Sequence, residues 1–168
     1  MRRGAETLFF GSYVNKIDAK GRLATPALFR RALDLERVNA IYCIPSTEEP
    51  CLECGGVDYI ETLMASIAEL DPFSKERRSL ERTIAARTSV VALDKEGRVV
   101  LPQPLRDHAR LNGEAMFAGL GHSFQIWNPV EFDKVAEEEA QIAGAAKLSL
   151  RNPTPSLLPP FPSQGDGS

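Results

Sequence analysis

The stretch Val14-Asn15-Lys16-Ile17-Asp18-Ala19-Lys20-Gly21-Arg22-Leu23-Ala24-Thr25-Pro26 returns as Val90-Val91-Ala92-Leu93-Asp94-Lys95-Glu96-Gly97-Arg98-Val99-Val100-Leu101-Pro102. Both copies read valine, an aliphatic residue before Asp, Asp-x-x-Gly-Arg, a further aliphatic residue and a Pro three positions on. After each Pro the match continues as Leu28-Phe29-Arg30 against Pro104-Leu105-Arg106, and the paired segments are expected to end at Leu35 and Leu111. A unit carried twice implies a duplicated domain whose halves pack on each other. The repeated element is a charged turn, so it bears on function more than on core.

In a type I turn Asp is favoured at the first position and Gly at the fourth. The Asp carboxylate accepts backbone N–H groups two residues on, which stiffens the turn. Gly21 and Gly97 are then expected to take positive φ and close a hairpin between twisted strands. Turn chemistry does not require Arg22 or Arg98. Each arginine either pairs with Asp18 or Asp94 across its own turn, worth only about 0–1 kcal/mol when exposed, or presents its guanidinium to a phosphate or a guanine edge. The surroundings differ between copies: Asn15, Lys16 and Lys20 in the first stand where Val91, Ala92 and Glu96 stand in the second. The first hairpin is therefore expected to face DNA through Lys16, Lys20 and Arg22. The second, more apolar hairpin is expected to serve packing or subunit contact, which leaves Arg98 between the two roles.

Charge is partitioned along the chain. The net charge is −3, yet residues 1–37 hold eight bases against four acids, and residues 38–71 hold seven acids with no Lys or Arg. Residues 131–139 add five acids against Lys134 alone. An acidic protein with one basic end can bind a polyanion, because binding responds to the local field and not to the sum. A hydrophobic content of 43% and a charged content of 26% fit a soluble globular protein. No apolar run approaches the ~18 residues that span a bilayer, and Leu8-Phe9-Phe10 is too short for a signal-peptide core. A cytoplasmic protein is expected.

Three cysteines, an odd number, argue against a disulfide framework. Cys51-Leu52-Glu53-Cys54 is a lone C-x-x-C, and only Cys43, His108 and His122 could complete a tetrahedral set. The cysteines are read as reduced strand residues packing as small hydrophobes, and no metal ligand or cofactor is assigned.

The first copy, 12–55, reads as a strand over 13–17, a turn, a return strand over 22–24 and a helix over 26–35. Thr25 is its expected N-cap, with Pro26 at the first helical position. Strands over 40–44 and around 51–54 follow. The second copy, 88–132, repeats the order, with later strands over 115–118 and 123–127 and a helix stop at Asn112-Gly113. Between them, 56–87 forms a helical connector, with one helix over 58–70 and a second starting at Asp71-Pro72 and running to about Arg87. The second is basic, through Lys75, Arg77, Arg78, Arg82 and Arg87, and reads as a solvated face. A further helix is expected over 134–150 within a segment 133–150. The segment 151–168, rich in Pro, Ser and Gly, is expected to be a disordered tail.

Tandem Asp-x-x-Gly-Arg hairpins, each followed by an aliphatic-x-x-Pro helix start, resemble the MraZ family, whose halves belong to the SpoVT–AbrB group of swapped-hairpin DNA-binding domains. The resemblance covers about 10–132. It implies an α+β fold: two AbrB-like β-barrel halves whose hairpins interdigitate, with short helices, the helical connector and the tail. It further implies a transcription factor on the bacterial nucleoid that binds short direct repeats in double-stranded DNA upstream of a division and cell-wall gene cluster, as a ring-shaped homo-oligomer. The family's DNA-binding motif carries over to Asp18 and Arg22, with Asp94 and Arg98 as counterparts. Residues 1–7, a short extension, and the Pro-rich tail depart from the family pattern.

Other classes fit less well. The Asp-x-x-Gly motif lacks the hydroxyl residue and Gly directly after Asp that aspartic-protease sites carry, and His108 and His122 have no counterparts in the other copy. Gly119-Leu120-Gly121 lacks the third glycine of a dinucleotide loop. Neither an enzyme nor a small-molecule substrate is expected. The alternative is an AbrB-type antitoxin, or a scaffold that binds protein through the acidic 38–71 region.

Overall fold

The computed structural model describes residues 8–150, so the expected extension and tail lie outside it. The elements run β1 (Ser12–Lys16), β2 (Arg22–Ala24), α1 (Ala27–Leu35), β3 (Ala40–Pro45), β4 (Cys51–Gly55), α2 (Val57–Ala68) and α3 (Lys75–Thr83). A 3-10 turn at Ala85–Arg87 leads into β5 (Ser89–Ala92), β6 (Arg98–Val100), α4 (Gln103–His108), β7 (Glu114–Gly119), β8 (Phe124–Trp127) and α5 (Pro129–Lys147). This is an α+β fold built on antiparallel strands.

The halves interdigitate. The six-stranded sheet has the order β1-β7-β8-β4-β3-β5, so the first strand of each copy pairs with the third strand of the other. The return strands β2 and β6 pair with each other as a separate ribbon, Leu23 opposite Val99. Exchanging the copies reverses the sheet order and returns the same list, which is a pseudo-two-fold axis in a single chain. Bridges at the hairpin bases, Ile17 to Leu23 and the Asp94 N–H to the Arg98 carbonyl, join ribbon to sheet and close a small barrel. Closure removes the edges that short strands would otherwise leave unpaired.

The barrel interior explains the short strands. Leu23, Val99, Leu101, Ile41, Ile126 and Phe117 are each no more than 1% exposed. In α1, Phe29, Ala32 and Leu33 form one buried face at helical spacing. Phe29 meets Phe9, Tyr13, Phe117 and Phe124 at ring-centroid distances of 5.0–6.1 Å, joining aromatic residues of both copies.

Several local expectations are revised. Thr25 does not cap α1; Pro26 takes that position, and Thr25 is buried with its N–H bonded to the Gly97 carbonyl of the other copy at 3.0 Å. The Thr25 hydroxyl oxygen is buried without a hydrogen-bond partner among the described residues, because the backbone bond to the other copy turns the side chain into the barrel and away from the helix N-terminus. Helix α4 is shorter than α1, and each helix ends on an arginine in the left-handed region, Arg37 at φ 58° and Arg110 at φ 53°. The closing bonds, Val38 N–H to Leu33 and Leu111 N–H to Arg106, make Leu111 the counterpart of Val38 and not of Leu35. Gly113 (φ 75°) stands just before β7, beyond the true end of α4. Asp71 caps a turn by accepting the Phe73 N–H, but α3 starts later, with Ser74 accepting the Arg77 N–H. Helix α5 begins earlier than expected, because Asn128 caps it ahead of Pro129. Arg77 is not part of a free basic face: it reaches the Leu70 carbonyl at 3.1 Å and Glu81 at 2.8 Å, closing the end of α2.

The cysteines are strand residues. Cys43 and Cys54 oppose each other across β3 and β4 with sulfurs 3.4 Å apart. Three residues along a strand reverse the face, so Cys51 lies in a different cluster from Cys54, against Ala118 and Trp127. The two thiols of the C-x-x-C therefore do not converge.

Candidate nucleic-acid interface

The two Asp-x-x-Gly-Arg turns have the same backbone. Asp18 Oδ1 accepts the N–H groups of Lys20 and Arg22, each at 2.9 Å, and Asp94 Oδ1 accepts those of Glu96 and Arg98 at the same distance. Gly21 (φ 79°) and Gly97 (φ 76°) occupy the left-handed region that the turn requires. The backbone N–H of Arg22, followed by the Arg22 side chain and the Lys20 N–H, holds the Asp18 carboxyl below its ordinary value. The Arg98 N–H does the same for Asp94. Both carboxylates are thus fixed, ionised anchors at neutral pH.

Each anchor orients its arginine. Arg22 Nε bonds Asp18 Oδ2 at 2.6 Å, and Arg98 Nε bonds Asp94 Oδ2 at 3.0 Å. This leaves the outer guanidinium edge to decide what the arginine does, and there the copies part. Arg98 Nη2 is engaged by the Glu96 carboxylate. Lys20 occupies the matching position in the first turn, and the Arg22 Nη atoms form no ion pair among the described residues. Lys16 and Lys20 are exposed beside it. Asn15, grouped by sequence with the polar surface, instead donates to the Ala24 carbonyl across its own hairpin at 2.6 Å.

Sequence reasoning missed that each turn rests on an arginine of the other copy. The Arg106 guanidinium of α4 lies against Gly21, where an added Cβ would come 3.2 Å from Nη1. Arg30 of α1 lies against Gly97 so closely that a Cβ there would overlap its side chain, and its Nη1 donates to the Glu96 carbonyl at 3.1 Å. Arg30 and Arg106 do align in the repeat, which was the available signal; that each helix docks on the opposite hairpin follows only from the interdigitated pairing. The second turn is also tied by the Thr25 N–H to Gly97, and no matching bond from Leu101 to Gly21 occurs among the described residues. The second turn borders an open depression of about 420 Å³ whose lining alternates in sign, with Arg30, Arg31 and Lys95 against Asp34 and Asp94.

No group of His, Cys, Asp and Glu among the described residues is arranged to hold a metal ion. No described helix is long and apolar enough to cross a membrane. His108 ends α4, and His122 precedes β8. What the arrangement offers is a cationic hairpin tip with an anchored arginine.

Residues 84–152 match a family model described as "MraZ protein, putative antitoxin-like". The chain is 39% identical over 145 residues to the Transcriptional regulator MraZ of Rickettsia canadensis (strain McKiel) and to that of Rickettsia felis (strain ATCC VR-1525 / URRWXCal2), covering 86% of this chain and 97% of each relative. The protein of the same name from Rickettsia akari (strain Hartford) is 38% identical over the same length. The chain belongs to the MraZ family of transcriptional regulators.

Proposed function

We propose that this regulator binds double-stranded DNA sequence-specifically through its first hairpin, reading short direct repeats upstream of a division and cell-wall gene cluster. Arg22 is the base- or phosphate-reading group, Asp18 orients it, and Lys16 and Lys20 bind flanking phosphates. One observation carries the reading: among the described residues the Arg22 guanidinium is anchored through Nε alone, on a turn that also carries the exposed Lys20 and follows a strand ending at the exposed Lys16. An arginine anchored in this way is preorganised for a bidentate contact. Asp94 and Arg98 form the matching but less available pair.

A few phosphate contacts per chain give weak, salt-sensitive binding. A ring of chains meeting repeated sites raises avidity by about 10²–10⁴ without new contacts, so the protein acts as a homo-oligomer on the nucleoid. Phe73 at 91% and Leu148 at 90% exposure are apolar surface that suits subunit contact.

The test is equilibrium binding to the chain's own upstream DNA across a salt series. Arg22→Ala is expected to lose about 1–3 kcal/mol per contacting chain, enough to abolish binding at moderate salt while the oligomer stays intact by light scattering. Arg98→Ala is expected to be milder. Retained affinity in Arg22→Ala refutes the assignment, and absence of any binding at low salt favours a protein scaffold.

A further inference from the structure

The two hairpins share a backbone and an anchored arginine, and differ in what faces the open side of the guanidinium. In the second, Glu96 closes it. We propose that Glu96 is an internal anion that silences the second hairpin towards DNA, occupying the Arg98 edge that a phosphate or guanine would take, so that each chain reads DNA through one hairpin. This rests on the reading of the first hairpin as the DNA contact.

Three observations support it. Glu96 is held in position by more than its own side chain: Arg30 of the other copy fixes its carbonyl from behind, and Asp94 fixes its N–H. The Thr25 N–H ties the adjacent Gly97 to the same copy, so the carboxylate is carried on a turn that cannot swing away without breaking contacts between copies. The carboxylate side chain is itself 69% exposed and stands in front of Arg98, which is 31% exposed. An approaching phosphate therefore meets a carboxylate before it meets the guanidinium, and like charges repel. The first hairpin has the opposite charge at this position, in Lys20, and no carbonyl bond from Arg106 to its turn occurs among the described residues. It is open to an anion on its outer face.

An exposed carboxylate–guanidinium pair is weak, so the gate reverses with one substitution. Glu96→Gln keeps the shape and removes the charge. Glu138→Gln, on the exposed surface of α5, changes net charge equally at a distance. Fluorescence anisotropy of the full chain with a labelled upstream duplex, over a sodium chloride series, compares these with wild type, Arg98→Ala and Glu96→Gln/Arg98→Ala. Glu96→Gln is expected to tighten binding about twofold to fivefold per chain and to steepen the salt slope by about one ion per chain. Arg98→Ala has a smaller effect in the wild-type background than in the Glu96→Gln background, where it removes the gain. Equal gains in Glu96→Gln and Glu138→Gln, or a Glu96→Gln chain with wild-type affinity and slope, overturn the proposal while leaving the first-hairpin reading standing. Wild type that fails to bind at low salt removes both.

Discussion

At the scale of single residues, the Asp-x-x-Gly-Arg sequence separates into two jobs. Asp and Gly make the turn, through carboxylate bonds to N–H groups two and four residues on and a left-handed glycine. Arg then inherits a fixed carboxylate, which costs it little conformational freedom when it meets a partner. The glycines are not equivalent, however. Alanine at either position is strained by positive φ, but at Gly97 it also collides with Arg30, whereas at Gly21 it comes no nearer than 3.2 Å to the far end of the Arg106 side chain. Gly97→Ala is therefore expected to destabilise by clearly more than the ~1 kcal/mol scale of φ strain, and Gly21→Ala by less. Urea unfolding of the two variants decides this; a larger loss for Gly21→Ala would contradict the cross-copy packing of Arg30.

At the scale of elements, most strands were legible because turn signals bound them and alternation marks them. The return strand over 22–24 has the expected limits, the first strand lies one residue earlier than expected, and the third runs one residue further at its end. Helix starts are less legible: a second polar residue, Ser74 or Asn128, takes the cap at α3 and α5, and at α1 the buried Thr25 leaves the first turn with no side-chain cap. The C-x-x-C illustrates a different limit. Its spacing suggests convergence, but strand geometry sends Cys51 and Cys54 to opposite faces, and both faces are covered. Burial pushes the Cys51 thiol up to about 12 and raises that of Cys54 as well. Thiolate is the reactive form and access is also required; all three cysteines are buried, Cys43 included, so none is expected to react with Ellman's reagent in the native protein at pH 8, and all three after denaturation. Rapid modification of one thiol in the folded state would show that the sheet opens locally.

At the scale of the molecule, one ring tests whether two copies make one unit. Phe29 of the first copy packs on Phe117 and Phe124 of the second. Phe29→Ala is expected to cost about 3–5 kcal/mol and to shift a single unfolding transition, seen alike by far-UV circular dichroism and by Trp127, the sole tryptophan. Two separated transitions would mean that the copies fold independently.

What the sequence by itself determined is local: two identical turns, the strands flanking them, the helix after each, and the excess of cationic residues around the first. These follow from interactions spanning a few residues, which repeat wherever the same residues recur. Only the tertiary structure decided the pairing of β1 with β7 and β3 with β5, the docking of Arg30 and Arg106 on the opposite turns, and the covering of both faces at Cys51 and Cys54. Those depend on which surfaces meet once the chain closes into a barrel. The Asp-x-x-Gly-Arg turn is thus written twice in the chain, while its two unequal environments exist only after folding.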